Sequence, residues 1–134
     1  MRNATKTVTI EVFGKVKGKA RPRVTRFGTY TPKESRVYER MIAEKYRETG
    51  VEPFLGEVSV EVTTYREMPK SRPKKAVKEP DTYKPDVDNI GKAVLDALNG
   101  VAYLDDKQVT MLSVIKKPRE RNRPEFIVVE VEEL

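Results

Sequence analysis

The stretch that decides the fold is VDNIGKAVLDALNG, residues 87–100. Its apolar residues recur at the three- and four-residue spacing of one helical face, which predicts an α-helix from Val87 to Asn99. The pair Asn99-Gly100 supplies the stop, because glycine readily takes the left-handed conformation that ends many helices. One side of this helix therefore packs inward, and the apolar residues on that side are Ile90, Ala93, Val94, Ala97 and Leu98.

Strands are predicted on both sides of this helix. Upstream, valines alternate with polar residues from Val58 to about Tyr65, which is the pattern of a strand with one buried face. Downstream, the apolar stretches Gln108 to Lys116 and Glu125 to Val131 predict two more strands, separated by a loop that contains prolines and basic residues. Residues 7–12 alternate in the same way and predict the first strand.

Another helix is predicted between the first two strands. The segment Thr31-Pro32-Lys33-Glu34 fits a capping box with proline at the first helical position. Gly50 stands where a C-terminal cap belongs. Between them, residues recur at helical spacing on the face that packs inward, namely Val37, Tyr38, Met41, Ile42, Lys45 and Tyr46.

The order strand, helix, strand, helix, strand, strand predicts an α+β fold. We expect a mixed or antiparallel sheet of about four strands with two main helices on one face. At 134 residues the chain lies within the range of one domain, which we expect to span residues 1–134.

The composition excludes several classes of site. The chain has no cysteine and no histidine, which excludes disulfides and thiolate sites and removes the commonest general base, so any metal must be held by oxygen. No apolar run approaches the roughly 20 residues of a membrane span, and residues 1–11 lack the apolar core of a signal peptide. We therefore expect a cytoplasmic protein with no membrane partner.

The charge distribution favours a polyanionic partner. The net charge is +6 and the isoelectric point is about 9.5. Two basic runs carry most of this charge, and their alternative interpretation is ordinary solvated surface. The first run has no carboxylate and contains Lys15, Lys17, Lys19, Arg21, Arg23 and Arg26; the second is rich in proline and contains Arg66, Lys70, Arg72, Lys74, Lys75 and Lys78.

Four carboxylates lie at the two ends of the helix that was predicted first. Asp86 and Asp88 lie at its N-terminus, where Asp88 can cap exposed N–H groups. Asp105 and Asp106 follow it in a segment that can be an ordinary polar turn. The functional hypothesis is that the two segments meet and that three or four carboxylates hold one or two Mg²⁺ ions. Such a centre activates water and stabilises the charge of a phosphate undergoing hydrolysis.

Lys92 lies four residues after Asp88, on the same side of the helix. It either forms an ordinary ion pair within the helix or contacts a phosphate and stabilises transition-state charge. Asp96 continues this line by one turn and is interpreted as a surface partner of Lys92 rather than a metal ligand.

Two familiar motifs are excluded. The segment from Asp86 to Gly91 begins like a calcium-binding EF loop, but Ile90 and Ala97 stand where oxygen ligands belong. Gly18-Lys19 lacks the flanking residues of a phosphate-binding P-loop, and no dinucleotide fingerprint follows a strand. We therefore expect no nucleotide cofactor.

The ordered segments around these aspartates are similar to the signature of RusA-type Holliday-junction resolvases. An early pattern also resembles the N-terminal region of many prophage-borne members, so the resemblance covers most of the chain. The segments are KPDVDN at 84–89, Lys92, LDALNG at 95–100, DDKQV at 105–109, KARPRVT at 19–25 and YTP at 30–32.

This resemblance implies a homodimer that binds four-way DNA junctions and nicks opposing strands in DNA recombination and repair. It implies Mg²⁺ or Mn²⁺ held by aspartates, with Asp86, Asp88, Asp106 and Lys92 as catalytic residues. Asp105 is the less certain fourth metal ligand.

Two alternatives remain open: a nuclease acting on other branched DNA such as flaps or forks, and a basic DNA-binding module whose aspartates have only structural roles. The residues expected to bind DNA are Lys19, Arg21, Arg23, Arg26, Lys74, Lys75 and Lys84.

Overall fold

The computed structural model describes residues 6–19, 23–26, 28–30 and 33–134. Its strands are β1 (Thr7–Phe13), β2 (Arg23–Thr25), β3 (Gly28–Tyr30), β4 (Val58–Tyr65), β5 (Lys78–Glu79), β6 (Val109–Lys116), β7 (Arg119–Glu120) and β8 (Phe126–Glu133). Its helices are α1 (Lys33–Arg47) and α2 (Val87–Leu98), and a short 3₁₀ turn spans Asp106–Gln108. All six main elements predicted from periodicity are present.

Four of these strands form the central sheet, in the order β1-β8-β4-β6. The strands β4 and β6 run parallel, whereas β8 is antiparallel to both of its neighbours, so the sheet is mixed. Because side chains alternate between the faces of a sheet, the predicted apolar positions fall on one face. On β1, β4 and β8, the buried residues of that face are Val8, Ile10, Val12, Val58, Val60, Val62, Ile127, Val129 and Val131.

The two helices cover this face. Helix α1 packs on β1 and on α2, and α2 packs on β6. The approach of α2 to β6 is close at Gly91, where an added Cβ would lie 2.9 Å from Cδ2 of Leu112 and 3.1 Å from Cγ2 of Val114. The fold is therefore the predicted α+β layer, with both helices on one face of a four-stranded sheet.

The other face of the sheet, which we call the outer face, carries no helix among the described residues. Acidic residues alternate with smaller ones on its strands, and Glu61 of β4 lies directly opposite Glu130 of β8. Glu11 and Glu132 belong to the same face by strand alternation. Within the described residues, no helix is both long and apolar enough to cross a membrane.

The helix boundaries follow the sequence signals. Gly50 has a φ of 71° and Gly100 a φ of 78°, so each supplies the left-handed turn that was predicted after its helix. Thr31 and Pro32 of the predicted capping box lie outside the described residues. The first basic run differs from a plain loop, because its last part contains β2, which pairs with β3 as a short antiparallel hairpin.

Candidate active site

The N-terminus of α2 presents two exposed carboxylates. Asp86 occupies the N-cap position, yet its side chain makes no capping hydrogen bond, and Asp88 lies in the first turn. The main-chain carbonyl of Asp86 accepts the first helical bond, from the N–H of Ile90, at 3.0 Å. The alternative that Asp88 is the capping residue is therefore wrong. Neither carboxylate is in an ion pair in the described part of the chain, so both remain available to a ligand.

A buried cluster, which we call the brace, holds the segment that leads into Asp86. The carboxylate of Asp81, whose side chain is 0% exposed, lies 3.2 Å from Nη1 of Arg66 and 3.9 Å from Nζ of Lys116. Arg66 also donates to the carbonyl of Lys84 at 2.9 Å, and Lys116 donates to the carbonyl of Pro85 at 2.9 Å. Because both cations reach the backbone just before Asp86, the brace fixes where α2 begins.

Sequence reasoning missed the brace. Its members come from three segments of the chain, with Arg66 after β4, Asp81 before α2 and Lys116 at the end of β6. No local pattern indicates such a pairing. The sequence offers only an isolated aspartate, Asp81, shortly after the second basic run. Its burial follows from tertiary structure alone.

Residues 14–19, which we call the basic arm, run from β1 to the N-terminus of α2. The N–H of Gly14 donates to the carbonyl of Glu125 at 2.9 Å, and the N–H of Val16 donates to the Glu125 carboxylate at 2.7 Å. The N–H of Lys19 donates to the carbonyl of Asn89 at 2.9 Å. The arm therefore lies directly beside Asp86, with Lys15 and Lys17 exposed on it.

Gly18 makes this close approach possible. A Cβ at this position would lie 2.8 Å from Cβ of Pro85 and 2.9 Å from Cβ of Asn89, both closer than real Cβ atoms come. These neighbours are atoms held near the backbone rather than the ends of flexible side chains. Any side chain at this position would clash with Pro85 and Asn89, so glycine is required here.

Lys19 differs from the other lysines of the arm because its ammonium group forms ion pairs within the protein. Its ammonium lies 2.9 Å from Glu39 of α1 and 3.1 Å from Asp96 of α2. Burial by itself lowers the pKa of Lys19, but its hydrogen bonds to the two carboxylates raise the pKa above its ordinary value overall. Lys19 thus joins the arm to both helices, and little of its charge is left for the predicted DNA contact.

The same pairing corrects the interpretation of Asp96 and Lys92. Asp96 pairs with Lys19, not with Lys92. In the described part of the chain, Lys92 forms no ion pair with Asp88 either, and its side chain is exposed. The structural alternative for Lys92 is therefore not realised.

The two aspartates of the segment after α2, Asp105 and Asp106, have different roles. Asp105 caps the 3₁₀ turn, because its carboxylate accepts a hydrogen bond from the N–H of Lys107 at 2.9 Å. Gln108 completes a capping box by accepting from the N–H of Asp105, and it donates to the carbonyls of Phe54 and Gly56. Asp106 is exposed and has no such structural bond among the described residues. The polar-turn interpretation therefore explains Asp105 and leaves Asp106 unexplained.

The two acidic segments lie at opposite ends of α2. Helix α2 has 12 residues, so its two ends lie about 18 Å apart along its axis at 1.5 Å per residue. No group of three or more acidic residues within the described ranges is close enough to hold a metal ion. The expected meeting of these segments does not occur within one chain.

Most of the remaining residues predicted to bind DNA are among the described residues. Lys84 is exposed just before Asp86, and Lys74 and Lys75 are exposed in the second basic run. Arg26 lies in the turn between β2 and β3, and Arg23 begins β2. Arg21 is not among the described residues.

Comparison with known proteins identifies the family of the chain. The family model described as endodeoxyribonuclease RusA matches residues 14–132 of the 134 residues. The chain is also 40% identical to the protein named "Uncharacterized protein YqaN" of Bacillus subtilis (strain 168), and the match covers 70% of each chain. The matched range contains the basic arm, α2 with its aspartates, and the 3₁₀ turn, and the chain belongs to the RusA family of endodeoxyribonucleases.

Proposed function

We propose that this protein is a Mg²⁺-dependent endodeoxyribonuclease that resolves four-way DNA junctions by paired nicks in DNA recombination and repair. The observation that carries the proposal is the pair Asp86 and Asp88, exposed at the N-terminus of α2 and not used for capping. A DNA-binding module without catalysis would have no need of two unpaired carboxylates beside its basic arm, because they repel phosphates.

The side chains fit a hard divalent cation. Asp86, Asp88 and Asp106 supply the carboxylate oxygens that Mg²⁺ prefers, and the exposed backbone N–H groups of a helix N-terminus reduce the repulsion between carboxylates. A bound cation would supply positive charge for the phosphate in the transition state and lower the pKa of attacking water. Lys92, exposed on α2, would contact the phosphate, while Lys15 and Lys17 hold the adjacent DNA backbone.

A dimer formed through β6 would bring the two acidic segments together. The strand β6 ends the sheet order, so its outer edge has no partner strand in the described chain. It also exposes apolar side chains, with Met111 62% exposed and Leu112 40% exposed. An exposed, apolar edge strand readily pairs with another chain, and a second copy of β6 is the partner that gives closed twofold symmetry.

The direction of pairing matters for the site. The C-terminal end of β6 lies beside the start of α2, because Lys116 donates to Pro85. The N-terminal end of β6 follows Asp106 by three residues. In an antiparallel pair the start of one β6 lies beside the end of the other. Asp106 of one protomer would then approach Asp86 and Asp88 of its partner, and twofold symmetry would place two such sites on one junction.

The test compares a four-way junction with a mobile core, a matched fork and a linear duplex, each with Mg²⁺ or with EDTA. We expect symmetric nicks on the junction with Mg²⁺ alone. Asp88→Asn should lower the rate of cutting by about 100-fold or more, the scale of losing a group that stabilises transition-state charge, while junction binding is retained. Glu48→Gln, which neutralises an exposed carboxylate at the end of α1, is the matched control and should cut normally.

Each other outcome favours one alternative. Equal cutting of the fork and the junction would favour a nuclease with a broader choice of branched DNA. Tight binding with no cutting in either Mg²⁺ or Mn²⁺ would favour the DNA-binding module and would disprove the proposal.

A further inference from the structure

Residues 69–79, which we call the finger, form a basic projection of defined structure between β4 and α2. Its lysines, Lys70, Lys74, Lys75 and Lys78, are all exposed. Val77 lies among them with 66% of its surface exposed. Val77 is thus an exposed apolar side chain on a projection whose other exposed residues include four lysines.

Arg121 fixes the shape of the finger from the opposite segment. Its Nε donates to the carbonyl of Ala76 at 3.0 Å, and its Nη2 donates to the carbonyl of Pro73 at 2.7 Å. Its backbone N–H also donates to the carbonyl of Val77 at 3.1 Å. Since the backbone on both sides of residue 77 is bound, the valine side chain projects from a rigid support.

A second set of contacts fixes the base of the finger. Glu79 lies 3.0 Å from Nε of Arg72 and 2.5 Å from Nη2 of Arg119. The ring of Tyr83 lies against both guanidinium groups, with Arg119 3.9 Å and Arg72 5.7 Å from its centroid. These cation–π contacts and ion pairs tie the finger to β7.

The arginines and lysines of this region therefore have separate roles. Arg72, Arg119 and Arg121 are bound to the protein itself, whereas no ion pair involves the finger's lysines in the described ranges. Tyr83 is followed after two residues by Asp86, and the carbonyl of Tyr83 is held by Lys116. The finger is thus rigidly connected to the N-terminus of α2.

We infer that the finger is a second DNA-binding element, which places Val77 against the unstacked base step at the centre of a branched DNA while its lysines bind the phosphates of the flanking arms. This inference rests on the proposed function and names how the same site would select branched DNA. Proteins that deform DNA commonly insert an apolar side chain between bases, and the cost of unstacking is smallest where stacking is already interrupted.

Rigidity is what makes a small side chain suitable. A flexible loop would lose conformational freedom on insertion, which would offset the gain from burying a valine. The finger avoids most of that loss because Arg121 and Glu79 hold it before DNA binds. The lysines cannot provide the selectivity, since phosphates are present on linear and branched DNA alike.

The test uses a four-way junction with 2-aminopurine at its centre and a linear duplex of the same composition, both in EDTA so that no cutting occurs. We compare the wild-type protein with Val77→Ser and with Leu134→Ser, which removes another exposed apolar side chain, 56% exposed against 66% for Val77, immediately after β8. Wild-type protein should raise the fluorescence of 2-aminopurine, because unstacking relieves its quenching. Val77→Ser should lose this rise and weaken junction binding by about fivefold, with duplex binding unchanged.

The other outcomes are distinct. Wild-type fluorescence and affinity in Val77→Ser, or equal weakening on the junction and the duplex, would overturn the role of Val77. Leu134→Ser should match the wild type, and a loss as large as that of Val77→Ser would overturn the inference as well. Absence of any DNA binding by the wild-type protein would instead disprove the proposed function on which the inference rests.

Discussion

Gly18 is the residue at which the basic arm comes closest to α2. We predict that Gly18→Ala lowers the free energy of unfolding by about 1–3 kcal/mol, because the new Cβ meets Pro85 and Asn89 at distances that force the arm away. The displaced arm should also weaken DNA binding. Urea unfolding and a binding titration on a junction measure the two effects.

Gly56→Ala is the control for Gly18→Ala. A Cβ at Gly56 meets no atom within 4 Å, so this substitution should change the free energy of unfolding by less than about 0.5 kcal/mol. Wild-type stability and binding in Gly18→Ala would show that the arm can shift without cost, and would remove the assigned role of this glycine.

The finger is the element whose stability we expect to depend on pH. Hydrogen bonds from Arg119 and Arg72 lower the pKa of Glu79 below its ordinary value of 4.5. A lowered carboxylate pKa stabilises the folded state at pH values above 4.5, and this contribution disappears as the pH falls through the pKa of the folded state. The base of the finger should therefore loosen in acid.

We predict that Glu79→Gln reduces the free energy of unfolding near neutral pH and that its difference from the wild type shrinks as the pH falls below about 4.5. Urea titrations from about pH 7 to about pH 3 measure this convergence. Glu48→Gln, whose carboxylate has no ion pair in the described part of the chain, should run parallel to the wild type. A difference between Glu79→Gln and the wild type that does not change with pH would contradict the ion-pair explanation.

The elements differ in how far the sequence determines them. Helix α2 and strands β4 and β8 could be predicted because each buries one face, and burial imposes a period on the sequence. The finger could not, because its shape depends on Arg121 binding carbonyls about 45 residues away in the chain. The short pairs β2–β3 and β5–β7 have too few residues to show a period.

The candidate site likewise contains some features that could be predicted from the sequence and others that could not. The sequence identified Asp86, Asp88 and Asp106, which the structure leaves exposed and without structural partners in the described ranges. It could not separate Lys19 from Lys17, because only the packing of α1 on α2 brings Glu39 and Asp96 to the same lysine. It also predicted that the acidic segments meet, whereas the described residues of one chain contain no group of three acidic residues close enough to hold a metal ion.

Charge is distributed unevenly over the whole molecule, with an acidic outer face and a basic end of the sheet. The outer face of the sheet carries Glu11, Glu61, Glu130 and Glu132, although the chain has a net charge of +6. The basic arm and the finger lie at the end of the sheet where β4 and β6 terminate, beside the start of α2. DNA is repelled by the outer face and attracted to this end, so we expect Asp86 and Asp88 at the N-terminus of α2 to face the DNA.

A dimer through β6 makes a prediction that a single-chain site does not. Asp88→Asn and Asp106→Asn should each be inactive alone. In a mixed dimer, however, one composite site would combine Asp88 from the second variant with Asp106 from the first, and that site would be complete. A co-refolded mixture should therefore regain Mg²⁺-dependent nicking of one strand of the junction. If each site were built within one protomer, every site in the mixture would lack one aspartate and activity would stay absent.

The control for this mixture is Asp88→Asn combined with Asp86→Asn. Both substitutions affect the N-terminus of α2, so each composite site in that mixed dimer retains Asp106 but lacks one of the other two aspartates, and cutting should not return. Measuring nicks on each labelled strand distinguishes one restored site from two, because a single restored site cuts only one of the opposing strands in a binding event. Persistent inactivity of the Asp88→Asn and Asp106→Asn mixture, with dimers present, would show that β6 pairing does not bring these aspartates together.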